Sequence, residues 1–406
     1  MLTADVAVVG GGPAGAAASI TLARAGRDVV LVDKARFPRD KCCGDGLTAG
    51  ALRLLERLGL DPANVPSWTV VDDVVVRAPS GRTASFPMPG DGVYAAVARR
   101  VDLDAALLDV ARAAGVKVLD GHALTGATEH EDRIVLDVDG LGDVHARYAV
   151  GADGMWSPLR KALGASKPGY LGEWHAFRQY FAGVGPQARR LWVWFEPDLL
   201  PGYAWSFPLP DGRANVGFGV QRADLDRDGR VASVQAMKDV WPDILRRPHV
   251  RAVLGPHARP EAPHKAWPIP ARVDDVALTT RRALFVGDAA CATDPLTGEG
   301  IGQALCTGVL AGRAINASGP LDAARATAAY ERAVARELFA DHAMSELLIR
   351  AVRHRRGARA ALAIAGLTPW TRRNFGRWLF EGYPRALLAT PRRWHAGMFT
   401  EPGAYR

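Results

Sequence analysis

Within its first 33 residues the chain changes hydrophobic period twice. Asp5 to Gly10 (DVAVVG) is a short apolar, β-branched run that stops at glycine. AGAAASITLARAG is Ala-rich and favours helix, and DVVLVD is a second apolar run ending in Asp33. Together they predict a strand–helix–strand unit of about 30 residues. Residues 34–66 combine a loop (FPRDKCCGDGL) with a short helix (AGALRLLERLGL), and residues 68–96 alternate and turn often, as an antiparallel hairpin does. RRVDLDAALLDVARAAG then places leucines and valines at helical spacing, and strands are expected near 116–119, 133–138 and 144–150. From about 171 to 269 the pattern is mostly β and rich in Trp and Pro. The buried-strand signature RALFVGD follows, then a helix-prone stretch from Gly300 to Ala314. From Ala323 onward the composition is helical, with Pro369 and Pro384 as expected boundaries.

The expected organisation is therefore discontinuous. Pieces of α/β character at 1–66, 97–170 and 270–330 alternate with β-rich pieces at 67–96 and 171–269, and 331–406 form a helical C-terminal region. A length of 406 residues accommodates two or three such units. Apolar content of 48% and charged content of 23% place the chain among ordinary globular proteins, and no apolar run reaches the roughly 18 residues of a membrane span. No basic stretch followed by an apolar one opens the chain, so no signal peptide is read. Cys42, Cys43, Cys291 and Cys306 lack paired CxxC spacing. Neither a zinc site nor a disulfide framework is expected, and a reducing cytoplasm is the expected location.

The net charge of +8 is concentrated at one end. Residues 350–406 hold twelve Arg, no Lys and two acids, Glu381 and Glu401, so this segment is +10 and the remainder −2. A uniformly basic nucleic-acid binder does not have this pattern. Trp370, Phe375, Trp378, Phe380, Trp394 and Phe399 interleave with the arginines. Two readings stay open: a solvated helical surface with its aromatics packed on the body, or a patch that leans peripherally on the anionic inner face of a membrane or admits a lipid-like substrate.

Three motifs carry chemistry. Gly10-Gly11-Gly12-Pro13-Ala14-Gly15 fits GxGxxG between a strand and a helix. Gly10 permits the tight turn, Gly12 lets backbone approach a pyrophosphate, Gly15 lets helix and strand pack closely, and the helix N-terminus attracts phosphate. Asp33, eighteen residues after Gly15, stands where a carboxylate accepts hydrogen bonds from a ribose. Gly287-Asp288 ends the apolar strand ALFV, and Pro295-Leu296-Thr297-Gly298-Glu299-Gly300 supplies a second glycine-rich loop before a helix. Two grips so far apart suit the long flavin dinucleotide, FAD, better than NAD. Asp153-Gly154 makes a sharp turn after the strand RYAVG, with Ser157 placed to cap the helix that follows.

GxGxxG near the start, DGxxSxxR in the middle and GDA…PxxGxG late, in this order, resemble the p-hydroxybenzoate hydroxylase-type flavoprotein superfamily over residues 1 to about 315. The resemblance implies an α/β fold: a Rossmann-like FAD-binding domain, an inserted antiparallel sheet for substrate, and a helical C-terminal region. It implies that Asp153 and Gly154 lie near FAD, that Asp288 contacts the ribityl chain, and that Arg100 is the arginine near the flavin, with Arg99 the neighbouring register. It also assigns Lys34, Cys43, Gly44, Asp45, Gly287, Pro295, Gly298, Gly300 and Ile301 to the cofactor's surroundings.

Within that superfamily, Tyr203-Ala204-Trp205-Ser206-Phe207-Pro208 followed by Val216-Gly217 resembles the YxWxFP…VG signature of the geranylgeranyl reductase family. The loop with Cys43-Gly44-Asp45-Gly46 and the segment PLTGEGI fit the same family. The implied activity is reduction of a C=C bond in a prenyl chain of a geranylgeranyl lipid, a menaquinone or a prenylated metabolite. Hydride comes from reduced FAD, and a proton from an acid or water. Tyr203, Trp205 and Phe207 alternate, so a strand presents them on one face as sheet core or as the wall of a prenyl channel, with Pro208 assigned beside them. Cys43 aligns with the family's loop cysteine, as proton donor or as packing against the ring. Flavin-dependent monooxygenases and halogenases are the alternative branches. Halogenases need a lysine, and none occurs from Cys42 to Val116. With no second GxGxxG unit, the electron donor is either NAD(P)H bound transiently or reduced ferredoxin.

Overall fold

The computed structural model describes residues 2–222, 234–318, 322–380 and 382–406. A seven-stranded sheet is built on the predicted strand–helix–strand unit. Its order is Lys117–Asp120, Val29–Asp33, Leu2–Val9, Gly142–Gly151, Ile134–Val138, Leu124–Glu129, with Ala283–Phe285 on the far half of Gly142–Gly151. The strands that carry the motifs run parallel, Val6–Val9 pairing with Val29–Val32 on one side and Tyr148–Gly151 on the other. Their loops therefore all leave from the same edge, the geometry by which open α/β sheets build a ligand crevice. Behind them the helix Pro13–Ala23 packs against the helix Ile301–Ser318. Gly308 makes the approach possible, because a Cβ there would stand 2.2 Å from the Ala14 carbonyl oxygen.

A second sheet of eight strands runs Arg259–Pro260, Trp174–Ala182, Arg213–Gln221, Tyr203–Leu209, Leu191–Trp194, Asp73–Arg77, Thr83–Pro87, with Lys265–Ile269 also on Trp174–Ala182. It is antiparallel except where Leu191–Trp194 joins Asp73–Arg77 in parallel. Segments from 67–96 and from 171–269 thus share one sheet. A three-stranded sheet, Gly46–Thr48, Ala95–Val97 and Thr69–Val70, lies between.

Two helices interrupt the stretch expected to be β, Val234–Arg246 and Pro248–Leu254; residues 223–233 of that stretch lie outside the described residues. The reason is packing. Trp241 and Ile244 sit one helical turn apart and are buried, with Trp241 stacked on Phe218 of the sheet at 5.9 Å between ring centroids. Beyond Asp322 the chain is helical as expected: Ala323–Val334, a π-turn Ala335–Phe339, Ala340–Val352, Arg355–Ala365 and Pro369–Leu379. Pro369 is the first residue of the last of these, where its missing N–H costs nothing. The final residues return to the body, Ala404 pairing with Val93 and Tyr405 meeting Trp68 edge-on.

Candidate active site

The glycine turn fits an anion. Gly10 has φ +106°, and a Cβ there would stand 2.3 Å from the Ala152 carbonyl oxygen; a Cβ on Gly15 would strike the Gly10 oxygen at 1.8 Å. Gly12 differs. Its missing Cβ would meet only the guanidinium ends of Arg39 and Arg100, at 3.5 and 3.7 Å. Gly12 also caps the helix Pro13–Ala23 with no side chain bonded to the first turn. Free helix N–H groups and two cations thus face one small space, as a pyrophosphate requires. Asp33 accepts from Gly11 N–H at 2.6 Å and Ala35 N–H at 2.8 Å, so its carboxylate shapes the turn and lines the cavity beside it. Lys34 follows it on the exposed rim.

The two arginines are held by a buried acid that the motifs did not reveal. Asp104, fully buried, takes a bidentate pair from Arg100, both contacts at 2.7 Å, and a third contact from Arg39 at 2.9 Å. Burial works against the Arg100 charge, but Asp104 more than offsets it and raises the arginine's pKa. Arg100 lines the cavity, whereas the guanidinium of Arg99 lies 4.5 Å over the Tyr180 ring. An acid four residues after Arg100 on a helix was the available signal.

Asp153 accepts from Ser157 Oγ at 2.5 Å and from Leu159 N–H at 2.8 Å, and burial pushes its carboxyl up to about 6. Gly154 takes φ +82° in the turn. Arg160 of the same motif bonds the carbonyls of Ala165, Ala277 and Ala289, tying this turn to the Gly287 segment. Asp288 lines the cavity, with Lys41 Nζ 3.8 Å away and the same ammonium 3.8 Å above the Trp267 ring. The loop from Pro295 is fixed by Asp294, which accepts from Leu296 N–H, Thr297 N–H, Thr297 Oγ1 and Ser345 Oγ.

The cysteine loop lies against the aromatic strand. Tyr203, Trp205 and Phe207 form a row, successive ring centroids 6.0 and 5.9 Å apart. Gly44 and Gly46 are pressed onto it: a Cβ on either would stand 3.4 and 3.1 Å from the Phe207 ring. Asn215, on the neighbouring strand, joins the two. It accepts from Trp205 Nε1 at 3.1 Å and donates to Cys43 O at 2.9 Å and Asp45 Oδ2 at 2.8 Å. Tyr180 donates a second hydrogen bond to Asp45 Oδ2 at 2.7 Å. Burial, and then the nearby Asp45 charge, push the Cys43 thiol up to about 11, so it stays neutral at ordinary pH. Burial likewise pushes Cys42 and Cys291 up to about 11. Tyr203 donates to the Thr297 carbonyl, joining the aromatic row to the PLTGEGI loop.

One cavity of about 940 Å³ connects these parts. It runs from the glycine turn past Asp153, Asp288 and the cysteine loop to the aromatic row, and on between Leu362, Phe375 and Trp378 of the C-terminal helices. Gly10, Gly12, Pro13, Ala14, Asp33, Lys34, Cys43, Gly44, Asp45, Arg100, Asp153, Gly154, Tyr203, Trp205 and Phe207 line it. So do Gly287, Asp288, Pro295, Gly298, Gly300 and Ile301. Gly15 does not, because its role is the close helix contact. Pro208 is a correction: strand alternation turns it to the opposite, buried face, paired with Ala214, away from the cavity. The cavity size suits a dinucleotide at one end and an apolar ligand at the other. Among the described residues no cluster of metal-ligating side chains occurs, and no helix is long and apolar enough to cross a membrane.

Residues 3–317 match the family described as FAD binding domain. A menaquinone reductase of Mycolicibacterium smegmatis is 36% identical over 346 residues, covering 79% of this chain and 78% of that protein. A digeranylgeranylglycerophospholipid reductase of Methanopyrus kandleri is 32% identical over 323 residues, covering 76% of each. Among solved structures, a geranylgeranyl bacteriochlorophyll reductase-like protein of Thermoplasma acidophilum superposes with a TM-score of 0.78. It is 19% identical and covers 97% of this chain and 100% of its own.

Proposed function

The chain belongs to the FAD-binding family that its residues 3–317 match, and from that premise we propose that it reduces carbon–carbon double bonds in an isoprenoid chain. The observation that carries this reading is the single cavity that joins the dinucleotide grip to aromatic and aliphatic walls. An isoprenoid is long and apolar, so its site needs such walls and few polar contacts. The relatives named as reductases of menaquinone and of a digeranylgeranyl lipid point the same way, and the first makes a menaquinone tail the leading substrate. A geranylgeranyl lipid or a prenylated metabolite shares the chemistry.

When bound and reduced, FAD supplies the hydride. The chain's own residues do the rest. Gly12, the first helical turn, Arg39 and Arg100 would hold the pyrophosphate, with Asp104 fixing both cations. Asp33, which lines the cavity beside the glycine turn, would accept from the ribose, and Asp288 would face the ribityl chain. Tyr203, Trp205 and Phe207 orient the prenyl chain and exclude water. The electron donor is a reduced nicotinamide nucleotide or a ferredoxin-like carrier.

The helical C-terminal region reaches a membrane surface from the side where the cavity ends. Ile364, Leu367 and Trp370 are 63%, 70% and 71% exposed, with exposed Arg355, Arg356, Arg359, Arg372 and Arg373 around them. Arg377 and Arg385, by contrast, are buried and hold backbone or ion-pair partners. The test of the activity is turnover of menaquinone by FAD-loaded protein under a reducing donor. Product that gains one H2 per double bond supports the reading; product that gains an oxygen atom replaces it with oxygenation.

A further inference from the structure

Asp45 is a carboxyl group in an unusual place. It is fully buried yet lines the cavity, and it holds φ +66°, the left-handed region that side chains rarely adopt. The glycines on either side of it lie close against the Phe207 ring, Gly44 also against Trp205. Its two oxygens are treated differently. Oδ2 accepts from Tyr180 Oη at 2.7 Å and from Asn215 Nδ2 at 2.8 Å. Oδ1 is buried with no hydrogen-bond partner. In the neutral acid the proton therefore sits on Oδ1, because Oδ2 already receives two donors. In the ionised acid Oδ1 is a buried, unmatched charge, which is costly.

Resting on the reductase reading, we propose that Asp45 delivers, from Oδ1, the proton that completes reduction of the alkene. The C=C π bond breaks. One carbon gains hydride from the reduced flavin, and the other gains the Asp45 proton as the Oδ1–H bond breaks. The flavin is left oxidised and Asp45 ionised. The carboxylate formed keeps its bonds from Tyr180 and Asn215, and solvent returns the proton before the next turnover.

The surroundings favour Asp45 over its neighbours. The Cys43 thiol, pushed up to about 11, is a weak acid whose sulfur accepts from Asp45 N–H at 3.3 Å. Tyr203 and Tyr180 have committed their protons to Thr297 O and Asp45 Oδ2. Asp45 itself is pushed up to about 6 by burial, against the lowering effect of Tyr180, Arg178, Asn215 and Arg100. That is close to the pH at which such an acid must give and regain a proton. Arg178 and Arg99 lie 4.1 and 4.5 Å from the Tyr180 ring centroid, and Arg100 stands on the helix behind, so cations face this carboxyl from two elements.

The test compares wild type with Asp45→Asn, which tolerates the left-handed backbone, with Asp45→Glu, and with Asp153→Asn as control. Infrared spectra of the FAD-loaded protein are titrated with pH. A protonated-carboxyl absorption that disappears with a midpoint near 6 is expected from Asp45 and from Asp153 alike, so D45N is expected to remove one component and D153N the other. Photoreduced protein is then mixed anaerobically with menaquinone. Asp45→Asn is expected to slow flavin reoxidation by the quinone's tail about a hundredfold or more, Asp45→Glu to recover part of it, and reoxidation by oxygen to be unchanged. A D45N protein with the wild-type rate and pH profile, or no protonated carboxyl assignable to Asp45, overturns this inference alone. A wild type that reduces no prenyl lipid overturns the reductase reading and this inference together.

Discussion

Trp205 and Asn215 are joined by a hydrogen bond of 3.1 Å from Nε1 to Oδ1, and the same amide reaches Cys43 O and Asp45 Oδ2. The aromatic strand and the cysteine loop are thereby held as one unit. Asn215→Ala removes all three bonds and leaves the Trp205 N–H without its acceptor. The variant should lose about 2–3 kcal/mol of stability, read by denaturant unfolding. It should keep FAD and lose most prenyl turnover.

The glycine turn separates folding from binding. Gly10→Ala places a Cβ 2.3 Å from Ala152 O at φ +106°, and should destabilise the chain by about 3 kcal/mol or more with or without FAD. Gly12→Ala meets only movable guanidinium groups. Its apo form should unfold like wild type, while FAD affinity falls on the order of tenfold, about 1.4 kcal/mol, in a fluorescence titration.

Asp104 is buried between Arg100 and Arg39. Asp104→Leu leaves two cations without their carboxylate and should lower stability by about 3–5 kcal/mol. Thermal unfolding, with released FAD followed by its absorbance, measures both effects.

Stability should carry the signature of the buried Asp45 acid. Its folded pKa is raised above the ordinary 3.8 to about 6, so the folded state binds a proton that the unfolded state has released between those values. The contribution is present below 3.8 and is lost as pH rises toward 6, about 3 kcal/mol in all. Wild type should therefore lose stability relative to Asp45→Asn across that window and track it above. An unchanging difference would show that the carboxyl titrates normally.

The outer face of the C-terminal helices should bind anionic vesicles. Replacing Ile364, Leu367 and Trp370 by Ser should abolish co-sedimentation, and raising salt should weaken it for wild type. Salt-independent behaviour in both proteins would remove the membrane contact from the account.

Much of this was legible in the chain because local rules and tertiary demands coincide there. The Gly10–Gly15 turn, the alternation of Tyr203, Trp205 and Phe207, and Pro369 at a helix start each follow from a short-range constraint. The rest depends on contacts between distant segments. Asn215 is one polar residue in an apolar strand, and nothing nearby says that Cys43 and Asp45 are its partners. Arg39 was visible only as part of a loop, although Asp104 binds it together with Arg100. Pro208 departs from the rest of its motif because a strand turns alternate residues to opposite faces. The helices at 234–254 were hidden because a mostly β stretch surrounded them, while Trp241 and Ile244 needed a sheet to cover.

The most direct measurement is an anaerobic single turnover. Photoreduced, FAD-loaded protein is mixed with menaquinone and with the same quinone bearing a saturated tail, and both the flavin spectrum and the recovered lipid are followed. Flavin reoxidation matched by one added H2 per tail, seen with the unsaturated tail and not the saturated one, is the result predicted here. Recovered lipid with its tail unchanged, together with an added oxygen atom once air is admitted, would contradict the account.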